Sequence, residues 1–204
     1  MCNQLFSIKS KILLLIKYSI PAINSLGIFY ATMTSFLGFK PSEDEYKVMG
    51  LSSYGAPTVD FSEIISFGPD SYRINEEIFF RGYKPMSLDE PIYSEKLVKL
   101  LGPVCTKDEK ITQRHKDIAF GAQNIVEECL IRIVSKLHKK TGLRKLCLSG
   151  GVALNCVMGG AMLDWYPEIE NIYHDPIPYD GGLAIGSARY LYHHILDYPR
   201  IYGN

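Results

Sequence analysis

Leu146-Cys147-Leu148-Ser149-Gly150-Gly151 sets a short apolar run against two consecutive glycines. A strand that ends on glycines lets a ligand approach the backbone closely, and free N–H groups at the start of the next helix attract phosphate or another anion. Asn155 lies one turn into that helix, within reach of a ribose or phosphate oxygen. A plain tight turn with Asn155 on the surface is the structural alternative, and two glycines alone do not separate the two readings. In Pro178-Tyr179-Asp180-Gly181-Gly182 a carboxylate follows a strand and precedes a Gly-rich helix start. That position suits a metal ion or a ligand hydroxyl in a crevice, although Asp before Gly is also a common turn and N-cap choice. In Glu43-Asp44-Glu45-Tyr46-Lys47 carboxylates beside a lysine suit a polar substrate, while helix starts favour acids through the dipole in any case.

Other chemistries are excluded by type and spacing. His115, His138, His174 and the pair His193-His194 form no His-x-x-x-His or His-Glu-x-x-His motif, so the chain builds no closed zinc site by itself. There is no Gly-x-Ser-x-Gly elbow for serine catalysis. Cys2, Cys105, Cys129, Cys147 and Cys156 make no Cys-x-x-Cys pair and are odd in number, which fits reduced thiols in a cytoplasmic setting. Lys plus Arg total 22 and Asp plus Glu total 22, so no long-range field calls for nucleic acid or an anionic membrane. The run Ile12 to Ile16 between Lys11 and Lys17 is far too short to span a bilayer or to act as a signal peptide. With 204 residues, 47% of them hydrophobic and 22% charged, the chain has the size of one domain or one lobe and enough apolar surface for a core.

The elements that must carry these groups follow from periodicity. Residues 1–24 show no clear element. Leu26, Phe29, Met33, Phe36 and Leu37 fall at helical spacing up to Gly38, which predicts a helix over 25–39. A second helix is expected from Ser42 as N-cap, with Glu45 as its capping-box partner, through Leu51. Tyr72-Arg73-Ile74-Asn75 and Ile78-Phe79-Phe80 read as a hairpin joined through Glu76-Glu77. Residues 82–113 are turn-rich, with one short helix at about 93–101. Ile118, Ala122, Ile125, Cys129, Ile133 and Leu137 give the strongest helical stripe, over 117–140, ending with Lys139-Lys140 before Gly142. Strand 145–149, helix 152–165, strand 171–174 and helix 183–196 complete an α/β alternation.

Taken together, the segments resemble one family. "SLGIFYATMTSFLGF" (25–39), "EYKVMGLSSYG" (45–55), "RHKDIAFGAQNIVEECL" (114–130), "LCLSGGVALNCV" (146–157) and "DGGLAIGSARYLYHHIL" (180–196) look like consecutive blocks of the nodulation-type O-carbamoyltransferases, from about Ser25 to Arg200. These enzymes are similar to the universal tRNA threonylcarbamoyl transferases and share the actin, sugar-kinase and heat-shock ATPase fold. The resemblance implies an α/β chain forming the second lobe of such a fold, a mixed sheet flanked by helices. It divides the chain into an atypical segment 1–24 and a partial catalytic domain 25–204.

The resemblance implies transfer of a carbamoyl group from carbamoyl phosphate, activated with ATP as a carbamoyl adenylate, onto a hydroxyl of a small molecule or glycan. Asp180 matches the family's catalytic, metal-ligating aspartate, the metal being a divalent ion of the iron type. Ser149, Gly150, Gly151 and Asn155 match its nucleotide loop, and Glu45 and Lys47 its "GEYKVMGLAPYG" block. The chain departs from the family pattern at Asp44 for glycine, Ser52-Ser53 for Ala-Pro, Gly159 for asparagine and Gly181 for alanine. It also lacks the family's two metal-binding histidines and the adenylate-forming domain. The expected partners are therefore a first lobe and that domain, in cis or in trans. A catalytically inactive remnant that keeps nucleotide or partner binding is the alternative, and a lone lobe is expected to expose apolar surface.

Overall fold

Helical stripes and brief apolar runs dictate an alternation of helices and short strands. The computed structural model, which describes residues 3–9, 13–79, 91–106 and 109–200, is of that mixed α/β kind. An antiparallel hairpin, β1 (Asn3–Lys9) and β2 (Leu13–Ile20), precedes helices α1 (Leu26–Phe36) and α2 (Glu45–Ser52). A second hairpin, β3 (Ile65–Gly68) and β4 (Ser71–Ile74), leads to α3 (Glu95–Leu101) and the long α4 (Gln113–Thr141). The last third alternates β5 (Lys145–Leu148), α5 (Cys156–Trp165), β6 (Asn171–His174) and α6 (Gly182–Tyr190). β5 and β6 are parallel, with Lys145 opposite Asn171 and Leu148 opposite His174, so α5 is their crossover. The described strands form three two-stranded sheets. No helix among the described residues is long and apolar enough to cross a membrane.

Most of the core is built on α4. Its Ile118, Ala119, Ala122, Val126 and Cys129 are buried with Phe29, Met33 and Phe36 of α1, Val48 of α2, Ile74 of β4, and Met158 and Met162 of α5. Each large apolar side chain so removed from water stabilises the fold by roughly 1.5–3 kcal/mol. α4 begins with Thr112 and His115 capping each other, the His115 Nδ1 accepting the Thr112 N–H at 3.1 Å. It closes at Gly142, whose N–H donates to the His138 carbonyl at 2.7 Å.

A carboxylate fixes the segment after α2 to this spine. Asp117 is 7% exposed. Its Oδ1 accepts the Ala56 N–H at 2.9 Å and the Gln113 Nε2 at 2.8 Å, and its Oδ2 accepts the Thr58 hydroxyl at 2.5 Å. Gly55 permits the close approach: a Cβ there would lie 2.2 Å from the Lys116 carbonyl oxygen.

Several sequence expectations are corrected. The hairpin is β3–β4, so Tyr72 pairs upstream with Phe67 rather than across Glu76-Glu77. Asn75 accepts the Glu77 N–H and turns Glu76–Ile78 into a 3-10 turn, while Phe79 bridges to Tyr93 and Phe80 lies outside the described residues. Local side-chain bonding at Asn75 thus competes successfully with strand propensity. Ser42 does not cap α2. It sits at φ 67 with its N–H donating to Glu45 Oε1 at 2.6 Å, and the helix starts at Glu45 after Asp44. The final helix stops at Tyr190 and continues as a π turn, Leu191–Ile195. None of its residues is buried, and Leu183 (70%) and Ile195 (59%) are largely exposed. Cys105, Cys129, Cys147 and Cys156 are free thiols.

Gly55→Ala is expected to lower the unfolding free energy by about 1–3 kcal/mol, as overpacking against backbone does; urea unfolding checks this, and an unchanged midpoint counts against the packing described. Asp117 is held below the usual carboxylate range, chiefly by the Thr58 hydroxyl and then by Gln113, with Ala56 also contributing. Its folded-state value lies below the unfolded one, so its contribution is present above about pH 4 and is lost as the pH falls through the folded value. Urea unfolding at stepped pH is therefore expected to show wild type losing stability more steeply than Asp117→Asn from about pH 5 down to 3; parallel curves contradict this.

Candidate functional site

β5 and β6 are parallel neighbours, so the loops that follow them leave from the same edge, where open α/β sheets present ligand crevices. The first loop carries Ser149, Gly150 and Gly151, the second Pro178 to Gly182. They are joined. The Gly150 N–H donates to the Pro178 carbonyl at 2.6 Å, and the Ser149 hydroxyl donates to the same oxygen at 3.2 Å. Gly150 achieves this at φ 100 and ψ 163, a region essentially closed to residues with a Cβ. In the second loop the Gly182 N–H donates to the Tyr179 carbonyl at 2.9 Å and the Leu183 N–H to the Asp180 carbonyl at 3.1 Å.

Ser149, Gly150, Gly151 and Asp180 are all exposed. A Cβ at Gly150 or Gly151 would meet nothing within 4 Å, so the approach to this backbone is open. Gly151–Leu154 forms a 3-10 turn. The N–H groups of Gly151 and Val152 begin it and have no partner within it, which leaves two donors for an anion.

Asn155 joins that turn to α5. Its backbone N–H donates to the Val152 carbonyl at 3.0 Å, closing the turn, and its Oδ1 accepts the Met158 N–H at 3.0 Å, capping the helix. The rest of its amide faces α4. Asn155 Nδ2 donates to Gln123 Oε1 at 2.8 Å, and Gln123 Nε2 donates back to Asn155 Oδ1 at 3.1 Å. Gln123 also accepts from the Tyr30 hydroxyl at 2.8 Å and donates to Glu127 Oε1 at 2.8 Å. Burial first, then the charges of Glu127 and Glu45, push the Tyr30 hydroxyl well above its ordinary range, so it stays a donor. Burial likewise raises Glu127, opposed by the Gln123 bond. Glu127 lines a groove of about 390 Å³ with Phe67, Asn124 and Trp165.

Glu45 and Lys47 lie on α2, whose Met49 Sδ is 3.9 Å from Cys156 Sγ at the start of α5. Glu45 caps backward to Ser42. Lys47 pairs with Asp44 at 2.8 Å and lies over the rings of Phe39 and Tyr46. Gly159 leaves room for the His174 ring, since a Cβ there would come within 2.5 Å of it. Among the described residues no three His, Cys, Asp or Glu side chains are grouped to hold a metal ion, so Asp180 has no companion set here that fits one.

Tyr30, Gln123 and Glu127 did not emerge from motif spacing. The available signal was a glutamine within the apolar stripe of α4, between Ala122 and Ile125.

Comparison with known proteins gives these residues their context. The model of the carbamoyltransferase N-terminus family matches residues 1–189. Nodulation protein NolO of Bradyrhizobium diazoefficiens is 34% identical over 177 residues, covering 83% of this chain and 29% of that protein. Nodulation protein NolNO of Sinorhizobium fredii is 29% identical, covering 82% and 23%, and an uncharacterized protein of Synechocystis sp. is 34% identical, covering 87% and 29%. The chain spans less than a third of the length of these relatives. A match over most of its residues means that this chain belongs to the carbamoyltransferase N-terminus family.

Proposed function

We propose that this chain is the nucleotide-holding lobe of an O-carbamoyltransferase, of the actin, sugar-kinase and heat-shock ATPase architecture, working in a cytoplasmic setting. One observation carries the reading: the Gly150–Pro178 hydrogen bond sets an exposed glycine loop beside the Asp180 loop at the carboxyl edge of two parallel strands. The phosphate of ATP, or of a carbamoyl adenylate made from ATP and carbamoyl phosphate, lies against the N–H groups of Gly151 and Val152. Ser149 and Gly150 shape the loop, and Asn155 orients it.

In the transfer step a hydroxyl oxygen of a small molecule or glycan bonds to the carbamoyl carbon. The bond between that carbon and the adenylate phosphate oxygen breaks, AMP leaves with the electron pair, and the hydroxyl proton passes to a base, for which Asp180 is the carboxylate beside the loop. Fixed N–H donors favour the negative charge on the leaving phosphate. Glu45 and Lys47 form the wall on the α2 side. An iron-type metal belongs to the family resemblance, but the side chains described here do not fit one, so no step is assigned to it. The remaining lobe and an adenylate-forming domain, in cis or in trans, complete the enzyme.

That lack of a grouped ligand set favours a second reading, in which the chain binds nucleotide or a partner and catalyses nothing. Labelled carbamoyl transfer to a hydroxyl acceptor, by the chain combined with a first lobe and an adenylate-forming domain, separates the two; no transfer leaves the second.

The first reading, and the nucleotide form of the second, require nucleotide binding. Calorimetric titration with a non-hydrolysable ATP analogue is expected to give saturable one-to-one binding. Gly150→Ala should weaken it at least about tenfold, through strain of about 1–3 kcal/mol at a glycine-only conformation, while Gly160→Ala, on the open face of α5, leaves it unchanged. Absence of binding to wild type defeats the first reading and leaves only partner binding from the second.

A further inference from the structure

We infer that Gln123, supported by Tyr30, is the positioning residue of the glycine loop, acting from α4 through the amide of Asn155. The inference rests on the nucleotide reading above and names residues that neither the motifs nor the family match single out.

Donors and acceptors fix the arrangement. The Met158 N–H can only donate, so the atom of Asn155 that faces it at 3.0 Å is the carbonyl Oδ1. The Asn155 amide nitrogen must then face Gln123, and it meets Oε1 at 2.8 Å. Gln123 consequently presents Nε2 to Asn155 Oδ1 at 3.1 Å and to Glu127 Oε1 at 2.8 Å, which uses both of its N–H groups. Its Oε1 takes the Tyr30 hydroxyl as a second donor at 2.8 Å. Each amide has one orientation consistent with its neighbours. Flipping Gln123 would set oxygen against the Glu127 carboxylate and nitrogen against the Tyr30 O–H.

Burial makes this arrangement stiff. Gln123 is 4% and Tyr30 6% exposed, so an unanswered polar atom has no water to turn to. Asn155 ends the 3-10 turn Gly151–Leu154 and starts α5. Fixing its side chain against α4 therefore fixes the direction in which the Gly151 and Val152 N–H groups point. Asn155 spends its oxygen entirely within the protein and retains one N–H of Nδ2 for any ligand.

The test is two-dimensional ¹⁵N–¹H NMR of the unliganded chain as wild type, Gln123→Met and Tyr30→Phe, followed by titration with the ATP analogue. Gln123→Met keeps the volume and removes both polar ends. It is expected to move the Gly150 and Gly151 amide resonances, to speed exchange of the Met158 amide at least about tenfold (1.4 kcal/mol of lost protection at that amide), and to weaken the analogue about tenfold. Tyr30→Phe should move the same signals in the same direction by less. Unchanged Gly150, Gly151 and Met158 signals in a folded Gln123→Met chain overturn the inference. If that variant does not fold, Tyr30→Phe decides alone, unchanged signals overturning it and shifted ones supporting it. Absence of analogue binding to wild type overturns the nucleotide reading instead, and the unliganded spectra still decide the role of Gln123.

Discussion

A polar side chain buried on a helix must be answered by groups from other elements, and α4 carries two that organise the rest of the structure. Asp117 gathers the Ala56 N–H and the Thr58 hydroxyl, and so fastens the segment after α2. Gln123, further along the same helix, gathers Tyr30 from α1 and Asn155 from the start of α5. Apolar packing fits the helix faces together, and these bonds add one geometry and a large cost if left unmade. The apolar stripe supplies the stability of α4, and the two polar residues supply its register with α1, α2 and α5.

That register reaches the parallel pair. β5 and β6 end together, their following loops share the Gly150–Pro178 bond, and α5 leaves the glycine loop in a direction set by Asn155. The result is a glycine loop with exposed backbone beside a loop that carries two carboxylates, Asp175 and Asp180. A glycine loop of this kind recognises a phosphate by charge and shape and does little chemistry unaided. On α6, Leu183 and Ile185 are exposed apolar residues.

Much of this was legible in the residues. The stripe from Ile118 to Ile133 marked α4, the spacing Leu26, Phe29, Met33 and Phe36 marked α1, and the apolar runs before Gly150 and Pro176 marked β5 and β6. The family blocks were legible too, and the match over residues 1–189 agrees with them. What escaped was set by partners distant in sequence or by local competition. Asn75 looked like the end of a strand because its bond to the Glu77 N–H is invisible to alternation counts. Ser42 and Glu45 had capping-box spacing, and half of the box forms, but Ser42 sits at φ 67 and cannot serve as the cap. The spacing leaves Asn155 either within reach of a ligand or on the surface, and only the tertiary structure brings Gln123, 32 positions away, within hydrogen-bond distance of it.

The proposed nucleotide site is the carboxyl edge of β5 and β6. The most direct measurement is a map of ¹⁵N–¹H shift changes along the backbone as a non-hydrolysable ATP analogue is added to saturation. The account predicts the largest changes at Gly150, Gly151, Val152 and Asp180, with α3 and the β3–β4 hairpin silent. Changes centred on the groove of Phe67, Glu127 and Trp165, or spread evenly over the chain, would contradict it.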